Sequence, residues 1–341
     1  SKGSEMRLLF LLSGEHPTLP ASEAMAVLEA LGDGREVLRD EQVLVAESGA
    51  PPHRVAGRLG MCHLVGEHLF TCRCAPEEIL ERVEGLDLEF EGSFAVRVRR
   101  ISHHCREVST TGLAAAIGRR LLAPRRRVEL EAPERVFIGI ASRSFHFGVL
   151  RARVDRKGYR DRSPHLRPYF RPGSLKPALA RAVVNLTRVR AGERFADPFC
   201  GSGGILIEAG LVGAEVYGFD IDAGAVRGAE LNLGFYGLRG RFEVADAREV
   251  GSRYPEHFHA VACDPPYGIS ASRRGVALQK LYQEALESIY SMLRSGARAC
   301  VLSPEALPLE RLAGDAGFRV EEVHLERVHS SLVRKIAVMR K

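Results

Sequence analysis

No stretch of the 341-residue chain approaches the ~20 consecutive apolar residues that a membrane-spanning helix needs, although 45% of its residues are apolar, enough for ordinary globular cores. It also lacks a charged-then-apolar leader before a small-residue cleavage site, so neither a membrane span nor export is expected. Cysteine is sparse: seven are scattered along the chain, an odd number with no CxxC pair. A disulfide framework and a zinc ribbon are therefore not expected, and a cytoplasmic location is. Cys62, His63, His68, Cys72 and Cys74 fall close together, but their spacing matches no common zinc site, so they are read as small apolar or partly buried residues and no metal is assigned. Acidic residues are short in one region only. Residues 97–175 hold 6 Asp/Glu against 19 Lys/Arg, a net +13, whereas residues 1–96 carry −9 and residues 176–341 carry +2. Most of that positive charge is arginine, whose planar fork suits phosphate, and a basic segment between less basic ones is an electrostatic footprint for nucleic acid.

What is present is organised around Asp264-Pro265-Pro266-Tyr267-Gly268, which follows the apolar run Ala260–Cys263 and reads as a strand ending in a rigid turn. Two consecutive prolines fix φ at both positions and remove both backbone donors, so a carboxylate, two bare carbonyls and an aromatic face are displayed together. Upstream, Asp197-Pro198-Phe199-Cys200-Gly201-Ser202-Gly203-Gly204 lies between the strand Arg194–Ala196 and a helical pattern from Ile205 to Leu211. Strand, glycine-rich turn and helix make a nucleotide-type site, because glycine lets a ligand approach the backbone. The next strand ends at Asp220, 23 residues after Asp197, close to the ~20-residue offset at which an acid meets ribose hydroxyls in dinucleotide folds. A further strand, Phe242–Ala245, ends at Asp246.

The two loops, in this order, resemble those of S-adenosylmethionine-dependent methyltransferases that act on exocyclic amino groups, D-P-F-x-G-S-G and [DNS]-P-P-[YFW]. The resemblance covers roughly residues 173–341 and implies an α/β, Rossmann-fold methyltransferase domain with a seven-stranded sheet, closed by the strands Phe318–Val328 and Leu332–Met339. It also implies roles. Asp264 and the Pro265 carbonyl would each accept an N–H of the acceptor amine, with Pro266 stiffening the turn and Tyr267 stacking on the base. Asp197, Pro198, Phe199, Gly201 and Gly203 would surround the methionine part of the cofactor; Asp220 with Ile221 would hold the ribose, and Asp246 with Ala247 the adenine. The helix from Pro177 would cover the pocket. Asp222 reads instead as a helix cap.

Before this domain, residues 6–75 alternate strand and helix as a small ferredoxin-like α+β unit. Residues 76–152 resemble a THUMP domain, an RNA-binding module of tRNA-modifying enzymes. Within it, Arg97, Arg99 and Arg100 lie on an alternating strand, Arg119 and Arg120 near a helix end, and Arg125, Arg126 and Arg127 in a basic turn; all eight are expected on an RNA surface. Residues 153–172 form a Pro- and Arg-rich linker, an ordered connection or a substrate-lining loop, that places Arg162 and Arg167 in the same expected surface. Taken whole, the chain resembles the archaeal tRNA guanosine N2-methyltransferases that modify position 10. The resemblance implies tRNA as substrate, S-adenosylmethionine as cofactor, and a small zinc-binding activator protein as a partner covering an exposed strand edge, for which Phe242 and Val244 are candidates. Other readings are a THUMP methyltransferase for another tRNA guanosine such as position 6, a DNA adenine N6-methyltransferase, and a non-catalytic RNA-binding scaffold.

Overall fold

A computed structural model describes residues 5–268 and 272–341, without the side chains of 272–274. From Met6 to Arg153 the chain runs β1 (Met6–Leu12), α1 (Leu19–Leu31), β2 (Arg35–Asp40), β3 (Val43–Ser48), α2 (Pro52–Arg58), β4 (Cys62–Cys72), α3 (Pro76–Glu84), β5 (Gly92–Arg100), α4 (Thr110–Leu121), β6 (Arg126–Val128), β7 (Arg135–Ala141) and β8 (Phe145–Arg153). It continues through α5 (Arg156–Asp161), a 3₁₀ turn (Pro164–Leu166), α6 (Pro177–Leu186), β9 (Arg194–Asp197), α7 (Gly204–Leu211), β10 (Glu215–Asp220), α8 (Ala223–Phe235) and β11 (Gly240–Val244). The last elements are α9 (Ala247–Arg253), β12 (Phe258–Cys263), α10 (Ser272–Met292), β13 (Leu293–Pro304), α11 (Leu309–Ala316), β14 (Arg319–His329) and β15 (Leu332–Arg340). These divide into two compact units, one of residues up to Pro17, Gly32–Gly57 and Cys62–Asp155, the other of Thr18–Leu31, Arg58–Met61 and Arg156–Lys341.

The first unit is built on one eight-stranded sheet in the order β2-β3-β1-β4-β8-β7-β5-β6. The expected division at residue 75 does not separate two sheets. β4 pairs with β1 on one edge and β8 on the other, both antiparallel, so segments 6–75 and 76–152 share a continuous ladder. The physical reason is that an apolar strand with one unpaired edge exposes a row of backbone donors and acceptors, and pairing both edges removes it. Phe70, Phe94, Phe137, Phe145 and Phe147 fill the core beside α3 and α4. α4 starts as its sequence suggests, with Ser109 Oγ accepting the Gly112 N–H at 3.1 Å.

One cysteine reading is corrected. Cys74 and Cys105 form a disulfide with Cα atoms 6.0 Å apart. They lie 31 residues apart in sequence, on the loops after β4 and β5 that the sheet brings together, which spacing alone does not display. His68, in the Cys/His-rich stretch, is partly buried and starts a hydrogen-bonded chain. Its Nε2 meets Thr71 Oγ1 at 2.8 Å, Thr71 Oγ1 meets His146 Nδ1 at 2.9 Å, and His146 Nε2 meets Asp40 Oδ2 at 2.7 Å.

The second unit carries a seven-stranded sheet ordered β11-β10-β9-β12-β13-β15-β14. β11 through β13 are mutually parallel, while β15 runs antiparallel to both β13 and β14. Strand order reverses between β9 and its neighbours β10 and β12, which opens a crevice at the carboxyl ends of those strands, the usual ligand position in such sheets. One helix that the sequence groups with the amino-terminal domain belongs here. α1 packs Leu19 and Ala26 into the same core as Leu179, Val183 and Leu186 of α6. Its Glu23, with 0% exposure, accepts the N–H groups of Gly60 and Met61 at 2.9 and 2.8 Å and the Asn185 amide at 2.9 Å. A buried carboxylate needs partners of this kind, and burial still pushes its pKa up.

Candidate active site

β9 ends at Asp197 and hands over to the glycine loop that starts α7. Gly201 and Gly203 have φ of +51° and +84°, where a side chain is strained. A Cβ on Gly203 would also lie 3.0 Å from Leu233 Cδ1 and 3.2 Å from Ala229 Cβ, so the loop sits directly on α8. Asp197 is buried, and its Oδ1 accepts the Phe199 N–H at 2.9 Å. Burial drives its pKa well up, and the charges of Asp220 and Asp264 add to this. β10 ends at Asp220, whose two oxygens accept the N–H groups of Gly201 at 3.0 Å and Asp222 at 2.9 Å. Asp222 caps α8 as expected, accepting the Gly224 N–H at 2.8 Å.

Asp246, after β11, caps α9 by accepting the Arg248 N–H at 3.0 Å. The Arg248 guanidinium folds back onto the same carboxylate at 2.7 Å and reaches Glu284 at 3.2 Å. That hydrogen bonding to Arg248 holds Asp246 below the usual carboxylate range.

β12 delivers the double-proline turn. Tyr267 donates its hydroxyl to Asp264 Oδ1. From α10, the hydroxyl of Tyr282, with 1% exposure, faces the carbonyls of Pro265, Pro266 and Leu302 at 3.4, 3.2 and 3.3 Å. Burial pushes Asp264 up to about 6; the Tyr267 hydrogen bond and the Arg334 charge oppose that rise. Arg334, on β15, is itself buried and donates Nε to Glu326 Oε2 at 2.7 Å.

These strand ends line one cavity of 550 Å³, within the ~300–1,000 Å³ usual for small-molecule sites. Asp197, Pro198, Phe199, Gly201, Asp220, Ile221, Asp246, Ala247 and the turn Asp264–Tyr267 all face it, as does the linker end Arg171–Leu175. Gly203 and Pro177 do not: Gly203 lies against α8, and Pro177 is buried at the start of α6. The lining fits S-adenosylmethionine by its chemistry. Five aspartates, at 197, 220, 222, 246 and 264, suit a sulfonium cation, Phe199, Ile221 and Leu281 offer apolar faces, and the glycine loop leaves backbone within reach. Tyr282, Arg334 and Glu326 escaped the sequence reading. Tyr282 occupies a core position of an amphipathic helix, and Arg334 and Glu326 meet only through strand pairing, so no local pattern marks them.

The expected RNA-facing arginines divide. Arg97, Arg99, Arg119, Arg120, Arg125 and Arg127 are exposed. Arg126 is not available: it donates to the carbonyls of Phe90, Leu121 and Leu88 at 3.0, 3.2 and 2.6 Å, and lies 4.0 Å over the Phe90 ring. Arg100 closes its own loop on the carbonyls of His104, Cys105 and Val108. In the linker, Arg162 forms a two-pronged pair with Glu208 at 2.9 Å for both contacts, and Arg167 is buried. Arg100, Arg126 and Arg162 are corrected from surface to structural positions, because loop carbonyls and the 0%-exposed Glu208 need donors; Arg167 leaves the surface by burial, its Nε on the Arg162 carbonyl at 3.2 Å and its Nη1 and Nη2 without a partner.

Comparison with known proteins agrees with this geometry. A family model described as the RMKL-like methyltransferase domain matches residues 164–336. The tRNA (guanine(10)-N2)-dimethyltransferase of Methanothermobacter thermautotrophicus is 38% identical over 348 aligned residues, covering 98% of this chain and 99% of its own. That of Pyrococcus abyssi is 35% identical, covering 93% and 95%. Among solved structures, TrmN from Thermus thermophilus is similar in fold, with a TM-score of 0.52 and 22% identity across 98% of this chain and 100% of that one. At such identity over nearly whole chains, the protein belongs to the tRNA (guanine(10)-N2)-dimethyltransferase family, enzymes dependent on S-adenosylmethionine and built on a Rossmann-like methyltransferase fold.

Proposed function

We propose that Asp264 and the Pro265 carbonyl hold the exocyclic N2 amine of guanosine 10 of tRNA during methyl transfer. The observation that carries this is the Asp264–Tyr267 turn opening onto the same cavity as the glycine loop. An aromatic amine is a poor nucleophile because its lone pair is delocalised into the ring. Two acceptors on its two N–H bonds draw the nitrogen toward tetrahedral geometry and turn the lone pair toward the cavity. Bound S-adenosylmethionine supplies an electrophilic methyl group on its sulfonium. The N–C bond would form as the sulfonium–methyl bond breaks, leaving a neutral thioether, and the strongly acidic ammonium would pass a proton to water or to Asp264, whose ionised form, available above about pH 6, already accepts its N–H. The Tyr267 ring stacks on the base once its hydroxyl leaves Asp264. Asp197, Phe199 and Gly201 lie around the methionine part, Asp220 and Ile221 at the ribose, and Asp246 and Ala247 at the adenine. A second transfer to the same nitrogen gives the dimethylated product named for the near-full-length relatives.

The exposed arginines of the first unit, read as a THUMP module, contact tRNA phosphates, and the target guanosine is splayed out to reach the cavity. Replacing Arg125 and Arg127 together weakens tRNA binding and lowers its salt slope by about 1 per arginine; an unchanged slope removes this turn from the RNA surface. A small zinc-binding activator pairs with β11, an edge strand of the sheet, where Val244 is 51% exposed beside the exposed Leu231 and Phe235 of α8, while Phe242 packs inward. Co-expression with no gain in solubility, cofactor affinity or rate counts against that partner. No helix among the described residues is long and apolar enough to cross a membrane. A tRNA substrate supports reading the enzyme as cytoplasmic.

The deciding experiment is transfer of labelled methyl from S-adenosylmethionine to tRNA transcripts, with and without a guanosine-10 to adenosine change, and nucleoside mass spectrometry of the product. Loss of N2-methylated guanosine with that change is the expected result. Persistent label moves the target to another nucleotide, and label on DNA adenine instead overturns the RNA reading.

A further inference from the structure

The cofactor cavity is unevenly charged. Five aspartates face it, and among the described residues its lining holds two cations, Arg171 and Arg248. Arg248 is committed, with donors on Asp246 at 2.7 and 3.0 Å and on Glu284 at 3.2 Å. Arg171 is not. Its Nη1 stands 3.8 Å from Asp220 Oδ2, an ion pair too long for a hydrogen bond. Among the described residues its guanidinium donates to no acceptor, and its side chain is 45% exposed.

S-adenosylmethionine carries three charges at its methionine end: a sulfonium, an ammonium and a carboxylate. The aspartates match the two cations, but they repel the carboxylate unless a cation stands beside it. The backbone has little to offer in its place. A glycine loop at a helix start commonly gives its N–H groups to an anion, yet here those of Phe199, Cys200, Gly201 and Gly203 are taken. They go to Asp197, the Phe219 carbonyl, Asp220 and the Cys200 carbonyl, at 2.9, 2.9, 3.0 and 2.8 Å.

Arg171 is fastened to that loop from both sides. Before it, the Tyr169 N–H donates to the Asn232 amide oxygen at 2.9 Å, and the Asn232 nitrogen donates to the carbonyls of Tyr169 and Ser202, each at 2.9 Å. After it, the Ser174 hydroxyl donates to the Arg171 carbonyl at 2.8 Å and meets Ser202 Oγ at 3.0 Å. The guanidinium therefore lies over the loop: a Cβ on Gly201 would meet its Nη1 at 3.7 Å and its Cδ at 4.0 Å. Of the linker arginines, Arg162 is spent on Glu208 and Arg167 is buried, whereas Arg171 lines the cavity with its donors unspent.

We propose that Arg171 binds the α-carboxylate of S-adenosylmethionine, a group that its planar fork of donors suits. This rests on the reading that places Gly201 at the methionine part and Asp220 at the ribose. Arg171 stands over the first and beside the second.

The test is calorimetric binding of two ligands to the full chain, S-adenosylmethionine and its decarboxylated analogue, which keeps the sulfonium and the amine and lacks the carboxylate. In Arg171→Met the affinity for S-adenosylmethionine falls about 10-fold, the low end for a hydrogen bond to a charged group because the side chain is part exposed. Affinity for the analogue is unchanged or rises, since a cation has left the site of a cationic ligand. Arg171→Ser removes the stem as well and gives the same difference between the ligands, so the packing of the new side chain does not decide the result. An equal loss for both ligands, or no loss for S-adenosylmethionine, overturns the inference. Asp220→Asn loses affinity for the two ligands alike; if both bind it as they bind the wild type, the parent placement of the cofactor fails instead.

Discussion

Two aspartates close adjacent strands of the catalytic sheet, both followed by proline, and they come to opposite ends. Asp197 is followed by Pro198 and Phe199, and the Phe199 N–H turns back onto its carboxylate at 2.9 Å. Asp264 is followed by Pro265 and Pro266, and the residue at the corresponding position has no N–H to give. The first carboxylate is satisfied by its own turn; the second must find its donor elsewhere, and in this structure finds the Tyr267 hydroxyl. One residue, Phe199 against Pro266, separates an aspartate bonded by its own backbone from one that is not. Under the proposed mechanism the double proline is more than a stiffener: it keeps the backbone from occupying the acceptor that the substrate amine would use.

The largest effect expected from this contrast comes from replacing both aspartates by their amide isosteres. Asn keeps an oxygen for the Phe199 N–H, so Asp197→Asn folds and retains turnover within about 10-fold, its loss appearing in the KM for S-adenosylmethionine. Asp264→Asn keeps a neutral oxygen for the amine but neither the charge nor a group that can take its proton, so kcat falls about 10²-fold with tRNA affinity nearly unchanged. The same variant is also more heat-stable than the wild type at pH 8. Burial raises the Asp264 pKa from an ordinary carboxylate value to about 6, so the ionised side chain lowers stability progressively as pH rises through that range. The gain vanishes below about pH 4, where both states are protonated. Thermal melts at the two pH values check it, and equal losses of kcat at positions 197 and 264 would end the contrast.

Pro266→Ala attacks the contrast from the other side, by restoring an N–H two residues after Asp264. If that N–H closes on the carboxylate as the Phe199 N–H does on Asp197, it competes with the substrate amine, and kcat falls about 10-fold, the worth of one ordinary hydrogen bond. Pre-steady-state rates at saturating tRNA measure this directly. An unaltered rate would show that the missing donor has no part in keeping Asp264 open.

Much of this site was legible because its parts are short and sequential. The two Asp-Pro loops, the glycines at positive φ, and the carboxylates at and after the ends of β10 and β11 are each set by neighbours in the chain. The parts that were not legible depend on pairing across the sheet. Arg334 and Glu326 meet because β14 and β15 form an antiparallel ladder, and Tyr282 reaches the turn from α10 through its hydroxyl, 3.2 Å from the Pro266 carbonyl. The same limit explains the larger differences. β4 reads as one strand of a small unit, yet its second edge is taken by β8 some 80 residues on. α1 reads as a member of the amino-terminal unit, yet Glu23 fastens it to Gly60, Met61 and Asn185. Among the arginines, composition gave the charge of the region correctly but could not tell Arg127, which is exposed, from Arg126, which is consumed by three carbonyls.

The smallest expected effect belongs to Tyr267→Phe, and it tests whether the hydroxyl now on Asp264 is a placeholder or a participant. The ring remains to stack on the base, so maximal turnover at pH 8 stays within about 2-fold of the wild type, or rises slightly because the amine no longer displaces a hydrogen bond worth about 1 kcal/mol. The pH dependence changes in a definite direction. The hydroxyl stabilises the ionised form of Asp264, so its removal raises the pKa of the free enzyme above about 6. The acidic limb of kcat/KM, which reports the free enzyme, therefore moves up. The limb of kcat does not, because in the bound complex the hydroxyl has already left the carboxylate. A shift in both profiles would mean that Tyr267 still holds Asp264 during transfer, and the parallel with Asp197 would then be closer than the two turns suggest: each carboxylate would be completed by its own loop, one through a backbone N–H and the other through a side-chain hydroxyl.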